Sequence, residues 1–272
     1  GYHAREGGCS ATQGLAFTFA DAIEYCDHLV GRGLDFDDFA PRLSFHFSSQ
    51  MDFFEEVSKV RAARRMWYQI ATDRYGAKDP NSARLRFFSG CSGATLTAQQ
   101  PLNNVVRSTL QCLAAVLGGA QSIHVMGFDE ALEIPTEESV RLALRTQQII
   151  ALESGVTSTV DPLAGSFFVE SLTDAVQAEA TELLDRIEEG GGAATLIEQG
   201  VLQRWIADNA FTIARETASG ERPKVGVNVF QDAEEEPAVG LFKPDASAGE
   251  RQVTRLAGRV LRVEFDHVPL GG

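Results

Sequence analysis

A few residues in this chain have types and spacing that chemistry could use. Tyr2 and His3 form a site-like pair, although a lone Tyr-His near a terminus is otherwise ordinary surface. Arg42 and Ser44 combine an always-charged guanidinium with a hydroxyl, which suits phosphate and amide oxygens. The plainer reading of Arg42 is an arginine at the entrance to a strand. Gly93 lies in a loop, Ser89 to Thr97, rich in Gly, Ser and Thr, where a missing side chain lets backbone come close to a ligand. Glu130 offers a carboxylate that accepts hydrogen bonds. Cys91 shares the Gly93 loop, but no His-Asp arrangement is evident beside it, so it reads as a small loop residue. His28, His46 and His267 read as structural, and Asn103-Asn104 and Gln147-Gln148 as capping or packing residues.

These residues must be positioned by a chain whose hydrophobic period switches between about 3.6 and 2 residues, as alternating helices and strands do. Leu15, Phe19, Ile23, Tyr25 and Leu29 predict a helix from Ala11 to Val30, stopped by Gly31 and Gly33. Leu43, Phe45 and Phe47 alternate with Ser44, His46 and Ser48, which predicts a strand near 43–48. Phe53 to Tyr75 reads as a long amphipathic helix. Leu85 to Phe88 reads as a second strand, followed by a helix from Pro101 to about Leu117. Gln121 to Met126 makes a third strand, and Pro135 sits in the first turn of a helix that runs through Ile150 to Gly155. Farther on, Phe167 to Val169 is expected to be extended, two helices span about 172–189 and 193–218, and Val225 to Phe230 is expected as one more strand. Gln231 to Gly249, with Glu234-Glu235-Glu236, reads as a solvated, mobile tail.

Three β-loop-α units mean either a doubly wound sheet or part of a (β/α)8 barrel, and the pattern alone does not separate them. In both, ligands sit in the loops after the strands, here Ser48 to Asp52, Ser89 to Ala98 and Met126 to Ile134.

Composition excludes other classes. A net charge of −14 repels phosphate backbones and anionic lipid, so nucleic acid and membrane surfaces are poor partners. The longest uncharged apolar stretch, Cys112 to Ala120, is too short to span a bilayer. Cys9, Cys26, Cys91 and Cys112 are scattered without a CxxC pair, which points to a reducing cytoplasm and to no zinc site. The chain begins at Gly1, directly before Tyr2-His3, and is expected to be a fragment whose natural beginning lies upstream.

Several stretches then converge on one family. Gly1-Tyr2-His3, Phe39-Ala40-Pro41-Arg42-Leu43-Ser44-Phe45, Leu96-Thr97-Ala98-Gln99-Gln100-Pro101-Leu102-Asn103-Asn104, Asp129-Glu130-Ala131-Leu132 and Asp161-Pro162-Leu163-Ala164-Gly165-Ser166 closely resemble the large subunit of adenosylcobalamin-dependent acyl-CoA mutases. That family includes methylmalonyl-CoA and isobutyryl-CoA mutases, and the resemblance runs from residue 1 to about residue 230. It implies a (β/α)8 barrel that threads acyl-CoA along its axis, with cobalamin capping the C-terminal face from a flavodoxin-like domain. Residues 1–155 would be the later half of the barrel, 156–230 a helical extension of it, and 231–272 a partly disordered tail. The resemblance assigns His3, with Tyr2 beside it, to hydrogen bonding of the thioester carbonyl, Arg42 and Ser44 to the CoA moiety, and Gly93, Glu130 and Glu133 to the cofactor side. No Asp-x-His-x-x-Gly pattern occurs in the sequence, so cobalt would be held mainly by a cobalamin-binding domain or small subunit outside this chain, in an expected oligomer.

The chain departs from the family pattern at some of these positions. The usual His-x-Gln-x-x-Gly after the second strand is Phe88-Ser89-Gly90-Cys91-Ser92-Gly93, and the usual His-Thr-Asn after the third is His124-Val125-Met126. Phe88, Gly90 and Met126 cannot make the hydrogen bonds of the residues they replace. His46 stands where the family has an aromatic residue. The leading expectation is an isomerase subunit that rearranges a short branched acyl-CoA by a radical route, of isobutyryl-CoA or methylmalonyl-CoA type. The alternative is a non-catalytic remnant or scaffold retaining the mutase fold and partner surface. An independent nucleotide-binding domain is weaker, for the sequence has no GxGxxG or P-loop.

Overall fold

The first long helix begins where Ser10 and Gln13 cap it reciprocally: the Ser10 hydroxyl accepts the Gln13 N–H at 3.1 Å and the Gln13 side chain accepts the Ser10 N–H at 2.9 Å. In the computed structural model, which describes residues 1–232, 240–243 and 245–260, this helix is preceded by a short α1 (Tyr2–Glu6) and runs as α2 (Ala11–Gly31). A one-turn α3 (Phe36–Phe39) leads to β1 (Phe45–Ser49), and the Asp52 carboxylate caps α4 (Phe53–Gln69) by accepting the Glu55 N–H. Next come β2 (Phe87–Cys91), α5 (Asn103–Leu117), β3 (Ser122–His124) and α6 (Glu137–Glu153). The chain then continues as α7 (Phe167–Glu189), α8 (Gly192–Glu198), α9 (Val201–Ser219) and α10 (Ala248–Val260).

The strands form one parallel sheet in the order β1-β2-β3, the order of the sequence, with Phe45 opposite Phe87 and Phe88 opposite Ser122. Alternation sends Phe45, Phe47 and Phe87 to the outer face, where they meet α2 and α4. Trp67 of α4 is the centre of this layer: it lies edge-on to Phe45 at 4.9 Å, stacks with Phe19 at 6.3 Å, and donates its indole N–H to the Ser82 carbonyl at 3.0 Å. α5 covers the outer face over the sheet's far end, where Ser49 and Cys91 bond the Gln111 and Ser108 carbonyls. α7 packs across α2 and α4 from outside. The opposite face of the sheet carries His46, Ser48, Phe88 and Gly90 and receives the short α1. The molecule is thus α/β with a small parallel sheet, consistent with part of an α/β barrel.

Several boundaries differ from the sequence reading. β2 starts two residues later and runs through Ser89, Gly90 and Cys91, because pairing with β1 continues across these small residues. β3 is shorter than Gln121 to Met126. Pro101 lies in a turn ahead of α5, and Pro135 precedes the Thr136 cap of α6. Phe167 to Val169 is helical, since the Ser166 side chain caps α7 by accepting the Val169 N–H. The expected helix 193–218 is broken before Gly200, whose φ of +69° suits glycine. Val225 to Phe230 is a loop with an isolated bridge between Val225 and Val229, wound around the Asn228 side chain, which bonds Lys224 N, Thr217 O and Arg222 O. The tail includes α10; Glu234-Glu235-Glu236 and His267 lie outside the described residues.

Candidate functional site at the inner face of the sheet

α1 brings Tyr2 onto the inner face. Its ring stacks on the His46 imidazole, with centroids 4.3 Å apart and 13° between planes, and meets His3 edge-on at 5.6 Å. His46 in turn meets Phe88 edge-on at 4.6 Å. Beneath these rings is Gly90: a Cβ there would stand 3.0 Å from Tyr2 Cε2 and 3.6 Å from His46 Nε2, so a side chain at 90 would push the tyrosine ring away. Burial, aided by the carboxylates of Glu6 and Glu130, raises the Tyr2 pKa and keeps its hydroxyl a donor.

One turn after Tyr2, on the same side of α1, Glu6 ties β1 to the loop after β2. Its carboxylate accepts the Ser48 hydroxyl at 2.6 Å, at the end of β1, and the Ala94 N–H at 2.9 Å, in the turn that holds Gly93. Nothing local in the sequence names these partners, so the role of Glu6 is visible only in the fold. α1 itself is anchored by a buried charge cluster that the sequence reading missed. Arg5 bonds Glu55 at 3.1 Å and Glu56 at 3.2 Å, while Lys59 pairs with Glu56 and donates to the Ser48 carbonyl. Burial depresses the Lys59 pKa against the pull of Glu56. Removing either partner from such a cluster leaves an uncompensated charge, so the cluster fixes where α1 lies on β1.

At the C-terminal ends of the strands stand Gly93 and Glu130. A Cβ on Gly93 would be 3.6 Å from Glu6 Oε2 and 3.7 Å from Met126 Cε, ordinary contact distances, so this glycine sits against the loops without being crowded. Glu130 accepts the Gly127 N–H at 2.5 Å, and Asp129 beside it accepts the Thr136 N–H at 2.9 Å and hydroxyl at 2.7 Å, which closes the loop after β3. Glu133 is exposed and its N–H donates to the Asp129 carbonyl at 3.1 Å. Arg42 and Ser44 are exposed at the other end of β1, just before the strand begins. The seven candidate residues therefore do not gather at one mouth: Gly93, Glu130 and Glu133 lie in the loops beyond the C-terminal ends of β2 and β3, Tyr2 and His3 lie over the inner face at His46 and Gly90, and Arg42 and Ser44 stand just before β1 begins.

The four cysteines are free and buried. Burial, with Cys112 nearby, raises the Cys91 pKa strongly, and its thiol donates to the Ser108 carbonyl at 3.4 Å, so it is no nucleophile. Among the described residues no group of three His, Cys, Asp or Glu side chains could hold a metal ion, and no helix is long and apolar enough to cross a membrane. The asparagine pair is structural in part: Asn104 is fully buried and bonds Thr97 and Phe128 backbone.

The methylmalonyl-CoA mutase family model matches residues 1–266, and the chain belongs to that family. Among individual proteins, it is 49% identical over 266 residues to the 2-hydroxyisobutanoyl-CoA mutase large subunit of Aquincola tertiaricarbonis, covering 98% of this chain and 47% of that one. It is 48% identical over 243 residues to the methylmalonyl-CoA mutase of Escherichia coli K12, covering 88% of this chain and 34% of that one. The mitochondrial methylmalonyl-CoA mutase of Bos taurus is 41% identical over 256 residues, 94% of this chain and 34% of its own length. The chain thus spans about half the length of the first relative and about a third of the other two.

Proposed function

We propose that this chain is the later half of the acyl-CoA-binding barrel, residues 1–155 with the helical extension 156–230, of an adenosylcobalamin-dependent acyl-CoA mutase. The whole enzyme would isomerise a short branched acyl-CoA by moving a group between neighbouring carbons. The observation that carries the reading is the family match through residues 1–266, which includes the whole inner wall. In support, the candidate residues follow one another along the inner face in the order an extended ligand would need, Arg42 and Ser44 before β1 for a CoA moiety, Tyr2 and His3 beside His46 for the thioester, and Gly93 and Glu130 beyond the strand ends for the cofactor side.

In this reading His3 donates a hydrogen bond to the thioester carbonyl and stabilises charge on that oxygen as the skeleton rearranges. Tyr2 and Phe88 keep water from that side of the acyl group. The residues present fit the organic part of adenosylcobalamin: Gly93 leaves its loop without a projecting side chain, Met126 is an apolar neighbour, Glu130 supplies an acceptor for a ribose, and Glu133 borders the cofactor side. In this reading the cobalt, carried in the corrin ring, would be held mainly by a cobalamin-binding domain or subunit outside this chain. When bound, the cofactor supplies a carbon-centred radical by homolysis of its cobalt–carbon bond.

The test is turnover of a branched acyl-CoA by the complete enzyme, with the upstream half of the barrel and the cobalamin-binding partner present. His3→Ala is expected to lower kcat by about 10²-fold or more, the loss typical of removing one donor to a developing oxyanion. Unchanged turnover in His3→Ala would overturn the assignment.

A further inference from the structure

His46 stands out on the inner face. Its ring is held from both sides, stacked on Tyr2 at 4.3 Å and set edge-on to Phe88 at 4.6 Å. Yet the residue is exposed, and neither ring nitrogen makes a hydrogen bond to another described residue. An imidazole locked in orientation with its polar atoms unused is a group prepared for a ligand. Its Nε2 lies 3.6 Å from where a side chain on Gly90 would begin, so it reaches over the position at which the family carries a polar residue and this chain carries none.

We propose that His46 is a specificity-determining residue: it offers the acyl group a hydrogen bond in place of the polar side chains that Phe88 and Gly90 lack, and so favours an acyl-CoA bearing an uncharged oxygen, such as a hydroxyl, on its branched chain. This rests on the mutase reading given above. His3 and His46 flank the same Tyr2 ring, so if one serves the thioester carbonyl the other is placed for a second oxygen of the same acyl group. The carboxylates of Glu6 and Glu130 stand beside Tyr2, which disfavours a second carboxylate on the ligand at this wall. Partial burial of the His46 ring among its neighbours lowers its pKa first, His3 and His124 lower it further, and Glu6 opposes them.

The experiment compares two CoA thioesters with the same branched carbon skeleton, one with a 2-hydroxyl and one without, on the complete enzyme with its cobalamin partner. Dissociation constants from calorimetry are measured alongside kcat and KM. His46→Phe keeps the ring stack and removes the hydrogen bond; it is expected to weaken the hydroxyacyl thioester about five- to tenfold and the unsubstituted one less than twofold. His46→Gln, which restores a donor and acceptor, is expected to recover part of the lost affinity for the hydroxyacyl thioester alone. Equal effects of His46→Phe on both thioesters, or none on either, would overturn the role of His46 while leaving the mutase reading intact. If both thioesters fail to bind the unaltered enzyme while a carboxylated branched acyl-CoA binds, this inference falls and the mutase reading stands; if all three fail to bind, both fall.

Discussion

The two faces of the sheet are built on opposite terms. On the outer face Phe45, Phe47 and Phe87 meet Phe19 and Trp67 in a closed apolar layer in which the polar atom of Trp67 is satisfied within the chain. On the inner face aromatic rings also pack, but around His46, whose ring nitrogens bond no other described residue, and over Gly90, whose missing side chain makes the packing possible. The same strands carry both sets by simple alternation. What differs is whether polar groups are used up inside the protein, and this separates a layer that holds the fold from a wall that can hold a ligand.

The comparison breaks most clearly at Trp67. Trp67→Ala should destabilise the protein by about 3–5 kcal/mol in urea unfolding, as deletion of a large buried aromatic does, while the folded fraction binds thioester with unchanged affinity. A drop in affinity of the folded fraction would show that the faces are not independent.

Asp129 tests the join between the faces at the loop after β3. Burial opposes ionisation there, yet the Ser139 hydroxyl alongside and the hydrogen bonds from Thr136 hold its carboxyl below the usual range. A carboxyl with a depressed folded pKa contributes stability above its unfolded pKa of about 3.9, and that contribution disappears as pH falls through the folded value. Asp129→Asn should therefore cost about 2 kcal/mol at pH 7 and flatten the loss of stability on acidification below about pH 4. An unchanged acid limb in the variant would remove Asp129 from that account.

The smallest effect on stability belongs to the inner wall. Gly90→Ala crowds Tyr2 by a contact of 3.0 Å, and since Tyr2 rides on a short, half-buried helix the cost should be about 1 kcal/mol, at the low end for overpacking. Thioester affinity should nonetheless fall, because the ring that moves also fixes His46. A variant that binds normally would mean the stack has no part in recognition.

What was legible in the sequence follows the same division. α2, α4 and the strand alternation at Phe45 and Phe47 were read correctly because their periodicity reflects burial against one continuous layer. Phe167 misled because it is apolar and yet 96% exposed; the cap at Ser166 was the better signal. Val225 to Phe230 alternates like a strand, but Asn228 and a positive φ at Gly226 turn it into a loop. Tyr2, His3, Gly93 and Glu130 could be singled out through resemblance, whereas the role of Glu6 depends on partners 42 and 88 positions away, and His46 acquires meaning only when Tyr2 and Phe88 close on it. Local pattern carries no record of such meetings.

A ring resting on a glycine also imposes an order on evolutionary change. While Tyr2 lies over Gly90, any mutation that adds a side chain at 90 meets the tyrosine first, and Tyr2 cannot drift aside without giving up its stack on His46. Reacquiring a polar residue at 90 is thus resisted until position 46 or position 2 has already changed. The three sites form a linked set with a preferred direction of travel, and lineages that share the glycine are expected to share the tyrosine and the residue beneath it as well.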